Sequence, residues 1–309
     1  MGTRTFFLWI AAIAAPFALV FAAVVMVDPY NYFGWSNAVS DDLKRKNLYH
    51  DGRTMPFSNL LWKLVEFPKA SHPNILLGDS RLSHFDLDHL ETVSGQRYYN
   101  LGVPGGNYRT VADLFTYADS VEGLSEDYAL QEVVVQVSFR GMNKGFDWDL
   151  YTEPRFLLDQ PFLYLTNRRV LEATLLNLRS AIAPNSVAYD QTPPDQWQRV
   201  LTMEQENASS FSLDTTVFAL LQRIADRCEA QGARARFVEY PTHPDVQRIY
   251  TEAGLEPLRQ AYMDRLAAIG TTIDLDRPGL FPEDRSFWRD PMHLTTEAQR
   301  LLIDRVWGQ

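Results

Sequence analysis

The chain has 309 residues, 46% of them hydrophobic and 22% charged, with a formal net charge of −10. That balance suits a folded protein with a sizeable core, arranged as one large domain or two small ones. The acidic excess makes nucleic-acid phosphate a poor partner, and the single cysteine, Cys228, excludes an intramolecular disulfide and a cysteine-rich zinc site.

An uncharged run, "TFFLWIAAIAAPFALVFAAVVMV", extends from Thr5 to Val27. As a helix it is long enough for a hydrocarbon core about 30 Å thick, and membrane helices tolerate a proline such as Pro16. Two readings stand: a retained anchor over residues 1–28, or a signal peptide cleaved near Ala12-Ile13-Ala14. The run continues well past Ala14, beyond the usual apolar core of a signal, which favours the anchor. Arg4 ahead of the span argues for an extracytoplasmic body, and Lys44-Arg45-Lys46 argues weakly the other way. The expectation is a single-pass protein of the inner membrane with its main domain outside the cytoplasm.

Residues 29–70 mix aromatics and charges without a long period. They are expected to form a connector packed on the main domain, with a short helix near Asn59–Glu66. Apolar strand signals follow at Asn74–Leu77, Arg97–Leu101, Glu132–Ser138 ("EVVVQVS"), Ala235–Tyr240 and Thr271–Leu275. Three of them are near-continuous, as strands buried on both faces of a parallel sheet should be. Helical stretches lie between them at Tyr108–Val121, Leu213–Gln231 and Leu255–Ile269. A last helix, Thr295 to about Val306, is capped by Thr295 or Thr296. This alternation predicts an α/β domain over 71–309 with a mostly parallel sheet. Residues 144–210 break the rhythm and are expected as an insertion over the carboxyl edge of the sheet, where ligand loops gather.

Ser80, in "LLGDSRL", ends the first strand at that edge. A serine hydroxyl attacks only when a base takes its proton, and a carboxylate commonly orients that base. On these residues alone, the turn is either a nucleophile's seat or a helix cap. "FWRDPMHLTTEAQ" supplies Asp290 and His293 before the last helix, an aspartate placed to turn back on a histidine; a plain surface-loop histidine is the other reading. His50, His72, His84 and His89 read as structural. His243, after the fourth strand, is either a substrate contact or a loop histidine between prolines. "YNLGVPGGNYR" offers glycines whose N–H groups can face a developing oxyanion, or an ordinary turn. "SFRGMN" offers the Asn143 amide. The only metal-ligand spacing is that of Asp290 and His293, and "GVPGGN" is not a nucleotide motif, so no cofactor is expected.

Taken in order, the "GDS" block, the glycine after strand two, the asparagine after strand three and the terminal D-x-x-H resemble the SGNH (GDSL-like) hydrolase superfamily. The likeness covers about residues 71–309. It implies a flavodoxin-like three-layer α/β/α fold. It also implies Ser80 as nucleophile, His293 as base, Asp290 as its partner, and an oxyanion hole of the Ser80 and Gly105 amides, with Gly106 as the alternative. Two departures are plain: "GDSR" replaces the commoner "GDSL", and the third block lacks G-x-N-D. A gapless alignment sets Arg140 near the asparagine position and Asn143 three residues late. Arg81, Asn107, Arg140 and His243 are the candidate substrate contacts.

The tethered layout, with "DPYNYFG" after the span, resembles the bacterial branch that includes the alginate-acetylation and lipoteichoic-acid D-alanylation proteins. That likeness implies O-acyl transfer or ester cleavage on an envelope or exported polysaccharide, beside a membrane-bound O-acyltransferase. A lipase or thioesterase of the same fold, and a catalytically silent partner of an acyltransferase, are the alternatives. Trp148, Tyr151, Phe156 and Tyr164 in the insertion are expected either to stack on sugar rings or to form the core of a lid.

Overall fold

A computed structural model describes residues 2–49, 55–83, 85–123, 130–184, 187, 193 and 195–308. His50 and His84 lie outside them. The chain forms two compact units: Met1–Glu66 with Thr152–Gln191, and Phe67–Tyr151 with Thr192–Gln309.

In the first unit, the helix Thr3–Val27 is long and apolar enough to cross a membrane. Phe7, Leu8, Ile13 and Phe17 stand exposed around it, a surface that favours hydrocarbon over water. The helix stops at Asp28, which adopts a left-handed conformation (φ 43°) and returns its N–H to Val24. Its carboxylate accepts the amides of Tyr32, Phe33 and Gly34 at 2.8–2.9 Å, so one side chain closes the "DPYNYFG" turn. The segment expected as a connector contains helices Asp41–Asn47 and Met55–Glu66. It shares a core with part of the expected insertion: Tyr30, Phe57 and Leu61 are buried with Leu157, Tyr164 and Val170, and Tyr32 stacks on Tyr164 at 4.2 Å.

The second unit is built on five parallel strands: β1 (Asn74–Leu77), β2 (Tyr99–Asn100), β3 (Glu132–Val137), β4 (Arg234–Glu239) and β5 (Thr271–Asp274). Their order is β2-β1-β3-β4-β5, a doubly wound arrangement with β1 and β3 adjacent at its switch point. All five fall where the apolar runs predict them. Leu76, Val134 and Val238 share one core with helices Leu87–Ser94 and Thr296–Trp307. Residues alternate faces along a strand, so Ile75, Val133 and Val135 face the opposite layer. Helices Tyr108–Glu122, Val217–Gln231 and Glu256–Ile269 pack in sequence there.

The helix expected from Leu213 starts later. Leu213 pairs with Asn143 in an isolated antiparallel bridge, so helix formation waits until Val217. The Gln196–Ser209 helix lies on this unit, while 152–191 belongs to the other. A short antiparallel hairpin, β6 (Trp288–Asp290) and β7 (His293–Leu294), precedes the final helix, whose cap is Thr295.

Candidate active site

β1 runs into Gly78, where any Cβ would collide with Gln136 Oε1 from β3. That oxygen accepts the Asp79 amide at 2.8 Å. Asp79 in turn caps a single 3₁₀ turn, Ser80–Leu82. It accepts the Arg81 amide at 2.9 Å and the Arg81 guanidinium at 2.8 and 3.1 Å. Burial alone would raise the Asp79 carboxyl; the Arg81 charge and these hydrogen bonds overcome it and hold it at about 2. Capping falls to Asp79, which leaves the Ser80 hydroxyl for another partner.

That partner is His293, whose Nε2 lies 2.8 Å from Ser80 Oγ. Asp290 and His293 face each other across the β6–β7 turn. The His293 Nδ1 stands 2.8 and 2.9 Å from the two Asp290 carboxylate oxygens. Asp290 Oδ1 also accepts the Met292 and His293 amides at 2.8 and 3.1 Å. Burial raises the Asp290 carboxyl, but the His293 hydrogen bond and charge and the two amides outweigh it, so it sits below its ordinary value. An ionised carboxylate has no proton to donate, so Nδ1 carries the hydrogen and Nε2 turns its lone pair to Ser80. Ser80, His293 and Asp290, the expected nucleophile, base and orienting carboxylate, are thus in hydrogen-bonded series.

The glycine loop folds onto the same strand end. Val103 N–H donates to the Gly78 carbonyl at 3.0 Å, and a Cβ on Gly106 would stand 3.0 Å from that oxygen. Val103 to Gly106 form a tight turn closed by Gly106 N–H to Val103 O at 2.8 Å. Pro104 precedes Gly105, whose φ of +72° is the positive value a type II turn requires there. The Gly106 amide is therefore spent inside the turn. The Ser80 and Gly105 amides donate no hydrogen bond among the described residues.

The other candidates are held elsewhere. Asn143 accepts the Ser212 amide at 3.1 Å and donates to the Asn207 carbonyl at 3.5 Å. Arg140 extends toward buried Glu204 (2.6 Å) and lies over the Phe146 ring. Asn107 caps the Tyr108–Glu122 helix, and its amide donates to the carbonyls of Phe146 and Trp148. Arg81 is buried against Asp79. His243 is 4% exposed; its Nδ1 accepts the Asp245 amide at 3.1 Å and its Nε2 donates to the Glu283 carbonyl at 3.0 Å. Its own amide donates to Pro291 O at 2.9 Å, so it braces the turn that carries Asp290 and His293. His72 stacks beside Tyr99, and His89 pairs with Asp304. Gln136 is the residue that sequence reading missed. Its signal was a lone amide inside the apolar "EVVVQV" strand.

No protein-family model matches the chain, and no curated protein matches it.

Proposed function

We propose that this protein is a membrane-tethered, serine-dependent O-acyltransferase or acyl esterase of the SGNH type. It works outside the cytoplasm on an envelope or exported polysaccharide. The observation that carries the proposal is the series Ser80 Oγ, His293 Nε2, His293 Nδ1, Asp290 carboxylate, with 2.8 Å at each junction. The chain order of the pieces adds support, with the serine after β1 and the histidine just before the final helix.

Ser80 Oγ bonds to the donor's carbonyl carbon as its proton passes to His293 Nε2. The carbonyl π pair moves to oxygen, and the Ser80 and Gly105 amides meet that charge; one such donor is typically worth about 10²–10³ in rate. Asp290 stabilises the imidazolium and keeps it aligned. Collapse breaks the bond to the leaving group, which departs with the His293 proton and leaves acyl-Ser80. A sugar hydroxyl or a water then gives its proton to Nε2 and attacks the acyl carbon; collapse breaks the bond to Ser80 Oγ, which takes that proton back from Nε2. Transfer and hydrolysis share this intermediate and differ only in the acceptor. The apolar N-terminal helix supplies the tether that keeps this chemistry at the membrane surface.

The test is fluorophosphonate labelling of the full-length protein in lipid nanodiscs, with the adduct mapped by mass spectrometry. The expected adduct sits on Ser80 and forms far more slowly in His293→Ala. A folded protein that leaves Ser80 unlabelled overturns the proposal.

A further inference from the structure

Beside the proposed oxyanion loop stands an aromatic ring that the chemistry above does not use. Trp148 donates its indole N–H to the Gly105 carbonyl at 2.9 Å and is 37% exposed. Phe146 lies 5.3 Å away at a tilt. The Asn107 side chain ties this segment down through the Phe146 and Trp148 carbonyls, at 2.9 and 2.8 Å. The ring is therefore fixed to the turn that presents the Gly105 amide, with part of its surface open to solvent.

The Asn107 and Phe146 side chains of this segment also line a cleft of about 570 Å³. Asp147 lines it too, and it runs between helices Tyr108–Glu122 and Val217–Gln231. That volume is within the usual range for ligand pockets. Ala112, Val217 and Leu220 supply apolar lining, and Arg109, Asp113, Asp214 and Arg223 supply charge of both signs. Burial raises the Asp113 carboxyl even though Arg109 and Arg223 lie near enough to oppose it.

We infer that this cleft, whose lining residue Phe146 packs beside Trp148, holds a saccharide segment of the polymer whose hydroxyl is acylated or deacylated at Ser80. The inference rests on the acyl-transfer reading of Ser80 and adds to it the place where the chain of sugars lies. A pyranose ring has a C–H face that suits an open indole and a rim of hydroxyls that both donate and accept. Interleaved guanidinium and carboxylate groups answer that rim. A fatty acyl chain would call for a closed apolar channel, and a polyphosphate would call for a wall of one positive sign.

The experiment uses full-length protein labelled with fluorotryptophan in phosphatidylcholine nanodiscs. Fluorine NMR reports each indole, and Trp148→Phe identifies the Trp148 signal. The probes are cellohexaose, chitohexaose and a hexameric uronate at millimolar concentration. At least one is expected to move the Trp148 resonance and to slow fluorophosphonate labelling of Ser80. Ala112→Trp, which fills the cleft, is expected to weaken that binding about tenfold or more. If Ser80 labels normally and no probe moves the Trp148 signal, the cleft assignment fails and the acyl reading stands. If Ser80 never labels, the acyl reading fails and the inference falls with it, while the titration still shows whether the cleft binds sugar.

Discussion

His293 Nε2 lies 2.8 Å from Ser80 Oγ across 213 positions of chain, whereas His293 Nδ1 finds its carboxylate three positions away. The long-range junction is made by the sheet and the last helix. The short-range junction is made by one hairpin turn.

Replacing the members of this series should separate their roles. Ser80→Ala removes the proposed nucleophile and should abolish turnover of p-nitrophenyl acetate. Asp290→Asn keeps the shape but presents an amide to Nδ1, which lets the imidazole adopt the wrong tautomer; kcat should fall by about 10³–10⁴. Steady-state hydrolysis measures both. An Asp290→Asn protein with wild-type kcat would remove Asp290 from the mechanism.

Gln136→Leu should act at a distance from the reacting atoms. It leaves the half-buried Asp79 amide without its acceptor, at a cost of about 1 kcal/mol, and loosens the turn that aims Ser80. Thermal unfolding should shift down, and kcat should fall more than KM rises. Gln136→Glu keeps an acceptor oxygen, so it should recover much of the lost kcat. Equal kcat in the Leu and Glu proteins would show that the Asp79 contact has no bearing on activity.

The two glycines of the oxyanion loop should fail differently. Gly105→Ala forces a side chain onto φ +72°, a strain of about 1–2 kcal/mol, and shifts the free amide, so kcat should drop steeply for a modest loss of stability. Gly106→Ala places a Cβ about 3 Å from the carbonyls of Val103 and Gly78 and should mainly destabilise. Unfolding midpoints and kcat measured on both variants test the contrast.

Two carboxyls, half-buried Asp79 and buried Glu239, make stability depend on pH with opposite signs. The Asp79 value of about 2 lies below its ordinary 3.8, so its contribution is present above pH 3.8 and lost as pH falls through about 2. Glu239 is 2% exposed and accepts the Phe139 amide and the Tyr262 hydroxyl. Burial, with Asp276 nearby, pushes it up from 4.5 to about 7. A raised carboxyl contributes below pH 4.5 and loses that contribution as pH climbs through about 7. The difference in unfolding midpoint between wild type and Glu239→Gln should therefore shrink in wild type's disfavour across that window. Near-ultraviolet circular dichroism reads it, and a widening difference in wild type's favour would reverse the assignment.

The strands were legible because burial on both faces leaves a mark that depends on composition alone: β3 is buried at every position and reads as a near-continuous apolar run interrupted at Gln136. Ser80, Asp290 and His293 were legible because each lies at an element boundary that local pattern identifies. What escaped depends on partners. Tyr32 and Tyr164 stack at 4.2 Å, yet nothing in 29–70 announces that its aromatics complete a core with residues beyond 151. Asn143 has the right chemistry for an oxyanion donor, but Ser212 and Asn207 claim its amide. Gln136 looked like an irregularity in a strand until Asp79 was seen against it.

The β6–β7 hairpin carries a further implication. Asp290 orients His293 through contacts confined to four consecutive residues, with Thr295 starting the final helix immediately after. Base and carboxylate thus arrive as a finished cassette on the end of that helix, and a single docking event, helix onto sheet, brings the cassette to the serine. Variants that tilt the helix should abolish the proposed labelling of Ser80 while the imidazole–carboxylate pair stays intact.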